Sequence, residues 1–210
     1  MASVFSQLQM QPADPLLRLI VEYRNDPRTD KIDLGVGVYR DETGATPVMR
    51  AVKEAERRLC ATQQSKSYLG PEGNLGFAAA LKKLVTGDDE HIACIQTPGG
   101  TGALRLAMDV IARIKAGARI WVGTPTWPNH LGLLAAAGLE VRSYPHFDQA
   151  TQSLCFDETL AALRRAEPGD VALFHGCCHN PTGSDFSEEQ WTALADVVTD
   201  RGLLPLIDLA

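Results

Sequence analysis

The sequence predicts an α/β fold on a mainly parallel sheet, and three observations carry that expectation. Apolar, β-prone runs alternate with helix-period segments from Ile92 onward in the 210-residue chain. A glycine-rich turn, Pro98-Gly-Gly-Thr-Gly-Ala-Leu104, follows an expected short strand at residues 92–97 and leads straight into a helix. A polar loop, His175-Gly-Cys-Cys-His-Asn-Pro-Thr-Gly183, lies between an apolar run at 170–174 and a capping-box sequence, Ser187-Glu-Glu-Gln190. In sheets of this kind, ligands bind beyond the carboxyl ends of the strands.

Taken in order, residues 1–13 read as a polar arm. Asp14-Pro15 fits the cap and first position of a short helix carrying Leu16, Leu17, Ile20 and Val21. Residues 32–39 alternate like a strand, with Gly35 and Gly37 either allowing a close backbone approach or marking a bulge. Thr46-Pro47 is expected to open a second helix whose face, Val48, Val52, Ala55 and Leu59, packs on a core. Asn74 can cap a third helix with Phe77, Ala78, Leu81 and Leu84 on one side. Leu104, Ala107, Ile111 and Ile114 line a fourth, which stops at Gly117. Strands follow at 119–122, 139–144, 171–174 and 203–207, separated by helices ending at Gly138, capped by Asp157, and opened by Ser187. Phe186 and Trp191 fall at the positions of a hydrophobic staple on that last helix.

Composition narrows the function. The chain is 45% apolar and 22% charged, as in ordinary globular proteins. Its net charge of −6, without a basic cluster, argues against a nucleic-acid partner. No apolar run reaches transmembrane length and the N-terminus lacks a signal pattern, so no membrane association is expected. The five cysteines lack framework spacing and read as thiols of a cytoplasmic protein. His175 and His179 flank Cys177 and Cys178, but no second ligand pair stands elsewhere at zinc spacing.

Three stretches can carry chemistry. Glycine-rich backbone entering a helix N-terminus offers free N–H groups to a phosphate, although a plain tight turn uses the same residues. Neither the Rossmann glycine spacing nor a P-loop lysine is present. Trp127, between prolines at a strand exit, can stack on a flat ring or fill a core. Asn180, restricted by Pro181, can aim its amide at a planar ligand or belong to an ordinary turn. Asp208, at the end of an apolar strand, needs a partner.

Together these pieces resemble the aspartate/aromatic aminotransferases, class I of the fold-type I pyridoxal-phosphate enzymes. The matching segments are Leu34-Gly-Val-Gly-Val-Tyr39, Ser67-Tyr-Leu-Gly70, Thr97-Pro-Gly-Gly-Thr-Gly-Ala-Leu-Arg105, Thr126-Trp-Pro-Asn-His130, the His175–Gly183 loop and Pro205-Leu-Ile-Asp-Leu-Ala210, in the family's order. The resemblance implies a three-layer large domain with an incomplete, mainly parallel sheet at 46–210. It implies an N-terminal arm and part of a small domain at 1–45. It also implies one contiguous block of the last four strands with an open edge beside residues 171–174, a strand at 92–97 left without a sheet partner and with its backbone groups unpaired, and cis peptides before Pro125 and Pro181.

The same resemblance implies pyridoxal 5′-phosphate as cofactor, an amino acid (aspartate or aromatic) and a 2-oxo acid as substrates, and a homodimer with shared sites. Gly100 and Thr101 match phosphate binders, and Trp127 matches the residue stacked on the ring. Asn180 matches the donor to the phenolic oxygen, and Asp208 the partner of the ring nitrogen. Tyr68 matches a residue reaching the neighbouring subunit's phosphate. Gly37 lies near the substrate carboxylate, Leu16 matches a lid residue, and His130 matches a histidine near the carboxylate. Two departures stand out. The link between Val85 and Ile95 is short, and none of the six lysines falls in the motif that binds the cofactor covalently. The chain is therefore expected to be the N-terminal half of an aminotransferase, with a truncated, catalytically inactive fragment as the alternative.

Overall fold

The computed structural model describes Ser6 and residues 15–33, 35, 37–87 and 89–210, with side chains described from Arg18 onward. Two compact units divide the chain, Met1–Ser67 and Tyr68–Ala210. The first holds α1 (Pro15–Asn25) and α2 (Arg50–Thr62). The expected cap Asp14, the arm before it, and the alternating positions Leu34 and Val36 lie outside the described residues. The described residues between 32 and 39 form no strand. Helix α2 begins at Arg50, three residues after Pro47, because Thr46 is held in the preceding loop by its hydroxyl donating to the Tyr39 carbonyl at 2.9 Å. Its apolar face stays exposed, with Val52 at 40% and Leu59 at 59%. Periodicity reports a helix, whereas burial needs a second surface, and the described residues of this unit supply none.

The second unit is a three-layer α/β/α sandwich. Four parallel strands, β1 (Arg119–Thr124), β2 (Glu140–Pro145), β5 (Val171–His175) and β6 (Leu204–Asp208), stand in the order β2-β1-β5-β6. A small antiparallel hairpin, β3 (Phe147–Asp148) with β4 (Ser153–Leu154), follows β2 and was not legible in the sequence, since two-residue strands have no periodicity to read. One face of the sheet is covered by α4 (Gly99–Ile114) and α5 (Pro128–Ala136). The other is covered by α6 (Phe156–Leu163) and α7 (Glu188–Arg201).

Strand β5 explains the sandwich best. Val171 and Leu173 point into the core beneath α4 and α5, while Ala172 and Phe174 point into the core beneath α6 and α7. All four are at most 2% exposed, which is why the run is apolar without alternation. Burying a side chain such as Leu173 or Phe174 contributes about 1.5–3 kcal/mol. This strand is interior, paired to β1 on one side and to β6 on the other. The expected open edge beside 171–174 is therefore corrected: the outer strands are β2 and β6, because β6 pairs with β5 along its whole length.

Three further expectations shift. Residues 92–97 have no sheet partner, as the resemblance implies, but they form no strand either, and their backbone is not wholly unpaired: Gln96 N–H donates to the Glu72 carbonyl at 2.9 Å. A strand needs a neighbour, and none of the described strands lies beside this segment. Helix α3 (Leu75–Thr86) is capped by Asn74, whose Oδ1 accepts from Phe77 N–H at 2.9 Å, yet within it only Ala78 is buried. Cys155, not Asp157, caps α6; Asp157 sits in the first turn, where its charge still favours the helix dipole.

Helix α7 follows the sequence closely. Ser187 Oγ accepts from Gln190 N–H and Gln190 Oε1 accepts from Ser187 N–H at 2.9 Å, closing the capping box. The Phe186 and Trp191 rings meet edge to face at 5.5 Å, and Trp191 in turn abuts Phe174. Ser187→Ala should destabilise the unit by about 1 kcal/mol, read as a drop of about 2–4 °C in Tm by thermal circular dichroism. An unchanged Tm would mean that the staple alone holds the helix start.

Candidate active site

The strand order reverses between β1 and β5. The chain leaves β1 toward β2, then returns to the far side of β1 to make β5 and β6. Such a switch point opens a crevice at the carboxyl ends of the strands. The exit loops of β1 and β5, and the last residue of β6, all meet there.

From β1, the chain passes a cis Thr124–Pro125 peptide to Trp127, which caps α5 and is half-buried. One turn later His130 is fully buried, its ring edge-on to Trp127 at 5.3 Å. His130 Nδ1 meets Thr126 Oγ1 at 2.8 Å and His130 Nε2 meets Asp208 Oδ2 at 2.8 Å. A carboxylate only accepts, so Nε2–H donates to Asp208, while Nδ1 and the Thr126 hydroxyl share the second hydrogen bond. This supplies the partner that Asp208 requires at its strand end. The Asp208 side chain is 17% exposed and opens toward the crevice mouth.

From β5, His175 lies in register with Asp208 on β6, and its ring is 5.1 Å from that of His130. Gly176 follows, and a Cβ there would crowd Leu209 Cδ1 at 2.9 Å and Ile207 Cγ2 at 3.1 Å, so those side chains would have to shift. The loop then turns at Cys178, in the left-handed region at φ 51°, and passes a cis Asn180–Pro181 peptide. Asp185 gathers it by accepting from Cys178 N–H and His179 N–H, both at 3.0 Å. Those two backbone donors hold the Asp185 carboxyl below its ordinary range. His179 stacks on His146 at 3.8 Å and contacts His175 at 4.1 Å. Burial, then the neighbouring His146 and His175, lower His179 to about 3. Burial, then His130, lower His175 to about 4. Both rings are therefore neutral at neutral pH. Asn180 is exposed at the loop tip.

Helix α4 packs on the sheet and ends at Ile114, just before β1 begins at Arg119, and so short a link returns the chain antiparallel, which puts the α4 N-terminus toward the carboxyl end of β1. Gly100 and Thr101 are exposed in its first turn, and a Cβ on Gly100 would meet nothing within 4 Å. Their N–H groups are among those a helix start leaves without intrahelical partners. The fold thus brings Gly100, Thr101, Trp127, His130, Asn180 and Asp208 to one end of one sheet. Tyr68 stands fully exposed at the start of this unit. Gly37 is exposed in the first unit, and the Leu16 side chain lies outside what the structure describes. Thr126, His146 and Asp185 had no signal in the sequence, since each acts through a neighbour that only the fold supplies. His175 and His179 were visible only as flanks of the two cysteines.

A family model for aminotransferase class I and II matches residues 29–210. The chain belongs to the class I and II aminotransferases. Among its aminotransferase relatives, the tyrosine aminotransferase of Rhizobium meliloti (strain 1021) is 55% identical over 210 residues, covering 99% of this chain and 54% of that protein. The aspartate aminotransferase of Escherichia coli (strain K12) is 46% identical over 213 residues, again covering 99% and 54%. A solved aromatic-amino-acid aminotransferase from Burkholderia pseudomallei, covalently bound to pyridoxal phosphate, superposes with a TM-score of 0.94 at 39% identity, covering 100% of this chain and 54% of that one. The chain spans about half the length of these relatives. No helix among the described residues is long and apolar enough to cross a membrane.

Proposed function

We propose that this chain carries the cofactor-holding face of a pyridoxal-phosphate-dependent aminotransferase acting on aspartate or aromatic amino acids and a 2-oxo acid. The observation that carries the reading is the His130–Asp208 pair at the switch-point crevice, beside the half-buried ring of Trp127. A largely buried carboxylate, held by a fixed imidazole and open on one side, suits the protonated nitrogen of a pyridine ring. When bound, the cofactor supplies an electron sink for the substrate's α-carbon. Asp208 would keep the ring nitrogen protonated, with His130 and Thr126 fixing the carboxylate's orientation. Trp127 would cover the ring face, and Asn180 would donate to the phenolic oxygen. Gly100 and Thr101 would hold the phosphate with backbone N–H groups and a hydroxyl.

Leu16 and Gly37 would serve substrate enclosure and carboxylate contact. Full exposure of Tyr68 supports a role for it toward a neighbouring subunit of a homodimer. Residues 1–45 would form the arm and small-domain segment, and 46–210 the cofactor-binding domain. Within this unit, Lys115 holds the Pro168 carbonyl beyond the opposite end of the strands. None of the six lysines falls in the family's cofactor-binding motif, so the 210-residue chain alone is expected to bind the cofactor weakly and without turnover. Titration with pyridoxal phosphate should quench tryptophan fluorescence saturably, and Trp127→Leu should abolish most of the quench. Aspartate and 2-oxoglutarate should give no rate above free cofactor. Quenching that survives Trp127→Leu would overturn the placement of the ring, and turnover would overturn the expected lack of a catalytic lysine.

A further inference from the structure

Three donor atoms of the crevice converge in a way that ring recognition does not require. His130 Nε2, His175 Nε2 or Nδ1, and a carboxylate oxygen of Asp208 lie within 4.8 Å of one another, and they come from α5, β5 and β6. His175 Nε2 is buried and has no hydrogen-bond partner among the described residues. A buried polar atom left unmatched is unfavourable, and it points to a ligand.

We propose that His130, His175 and Asp208 form a binding site for a zinc-class divalent cation in the cofactor-free protein. Two imidazoles and a carboxylate are a zinc donor set that leaves a fourth position for water. Bond lengths of about 2.1 Å place tetrahedral ligands roughly 3.4 Å apart. The present separations, from 2.8 Å for His130–Asp208 up to 4.8 Å, straddle that value, so small side-chain rotations close the site. The Thr126 hydroxyl already sits on His130 Nδ1 at 2.8 Å, the outer partner that metal-bound histidines use. On metal binding, the His130 ring proton moves from Nε2 to Nδ1 and is donated to Thr126 Oγ1. The metal replaces the hydrogen bond to Asp208. The thiols take no part: Cys177 Sγ is directed at the Ala210 carbonyl, 4.0 Å away.

Because Asp208 is the carboxylate assigned above to the cofactor, metal and cofactor exclude each other; this clause rests on the proposed function. The test is equilibrium dialysis of the chelator-treated, cofactor-free chain against zinc chloride, with bound metal measured by atomic emission. One zinc per chain is expected, with affinity reduced at least tenfold in His175→Ala and unchanged in Cys177→Ser/Cys178→Ser. Cobalt(II) substitution of the unmutated chain gives a readout independent of variant folding: a tetrahedral spectrum without a thiolate charge-transfer band supports the site. No stoichiometric zinc, loss of zinc only in the cysteine variant, or a thiolate band would overturn it. Added pyridoxal phosphate should release the zinc. Zinc and cofactor bound together would leave the metal site standing and overturn the assignment of Asp208 to the cofactor.

Discussion

In a polypeptide of its relatives' full length, Asp208→Ala should lower the rate of transamination between aspartate and 2-oxoglutarate by about two orders of magnitude. On the proposed placement of the cofactor, the substitution would remove the partner of a buried cation, a loss of about 3 kcal/mol, and each 1.36 kcal/mol is tenfold in rate. His130 would also lose the acceptor for its Nε2–H while remaining fully buried. The effect should fall more on proton removal from the substrate α-carbon than on cofactor affinity, since Trp127, Asn180 and the α4 N-terminus would still hold the ring and phosphate. Single-turnover kinetics with α-deuterated substrate, beside cofactor titration, separate the two. A near wild-type rate would reduce Asp208 to a strand-end residue whose only work is to hold His130.

The second large effect lies at the other end of the sheet. Asp170, 1% exposed, accepts from Arg119 Nε at 3.1 Å, Trp121 Nε1 at 3.0 Å and Glu167 N–H at 3.0 Å. Asp170→Ala should destabilise the unit by about 3 kcal/mol, because it leaves the Trp121 indole N–H without its acceptor and the Arg119 guanidinium with Glu167 alone. Chemical denaturation should show the loss as a lower midpoint at unchanged slope. Burial pushes the Asp170 carboxyl up, but the bonds from Trp121, Glu167 N–H and Arg119 outweigh it and hold it below the ordinary range. A depressed folded value means that this stabilisation is fully present above the unfolded value of roughly 3.9 and is lost as pH falls through the folded one. The gap between wild type and Asp170→Asn should therefore be constant near neutrality and narrow in acid below about pH 4. A gap that widens in acid would contradict the assigned charge state.

What was legible in the sequence was local. The apolar run of β5, the capping box at Ser187 and the staple of Phe186 with Trp191 are each written within a few residues, and each formed as read. Residues 92–97 have strand composition but no strand, because pairing is a property of two segments and composition of one. The face of α2 was read correctly as helical and wrongly as packed on a core, for the same reason, and the apolar face of α3 formed with only Ala78 buried. In the crevice, the resemblance placed His130 near the carboxylate, but the bond itself joins residues 78 apart, beyond any periodicity. The His146–His179 stack and the unmatched His175 nitrogen depend on where β2 and β5 lie in the sheet, which spacing does not encode.

Among the described residues, strand β6 is paired on one side only, and Asp208 is its last residue. The bond from Asp208 to His130 reaches past β5 to α5, so a single side-chain contact clasps the outer strand across its inner neighbour. Fraying of that strand from its carboxyl end and loss of the carboxylate from the crevice are one motion. Whatever occupies the crevice by gripping Asp208 draws its binding energy partly from closing the strand and returns it as protection against local opening. The residence time of a ligand and the opening rate of β6 then share a barrier, and a substitution that loosens the β5–β6 ladder far from the crevice would shorten both.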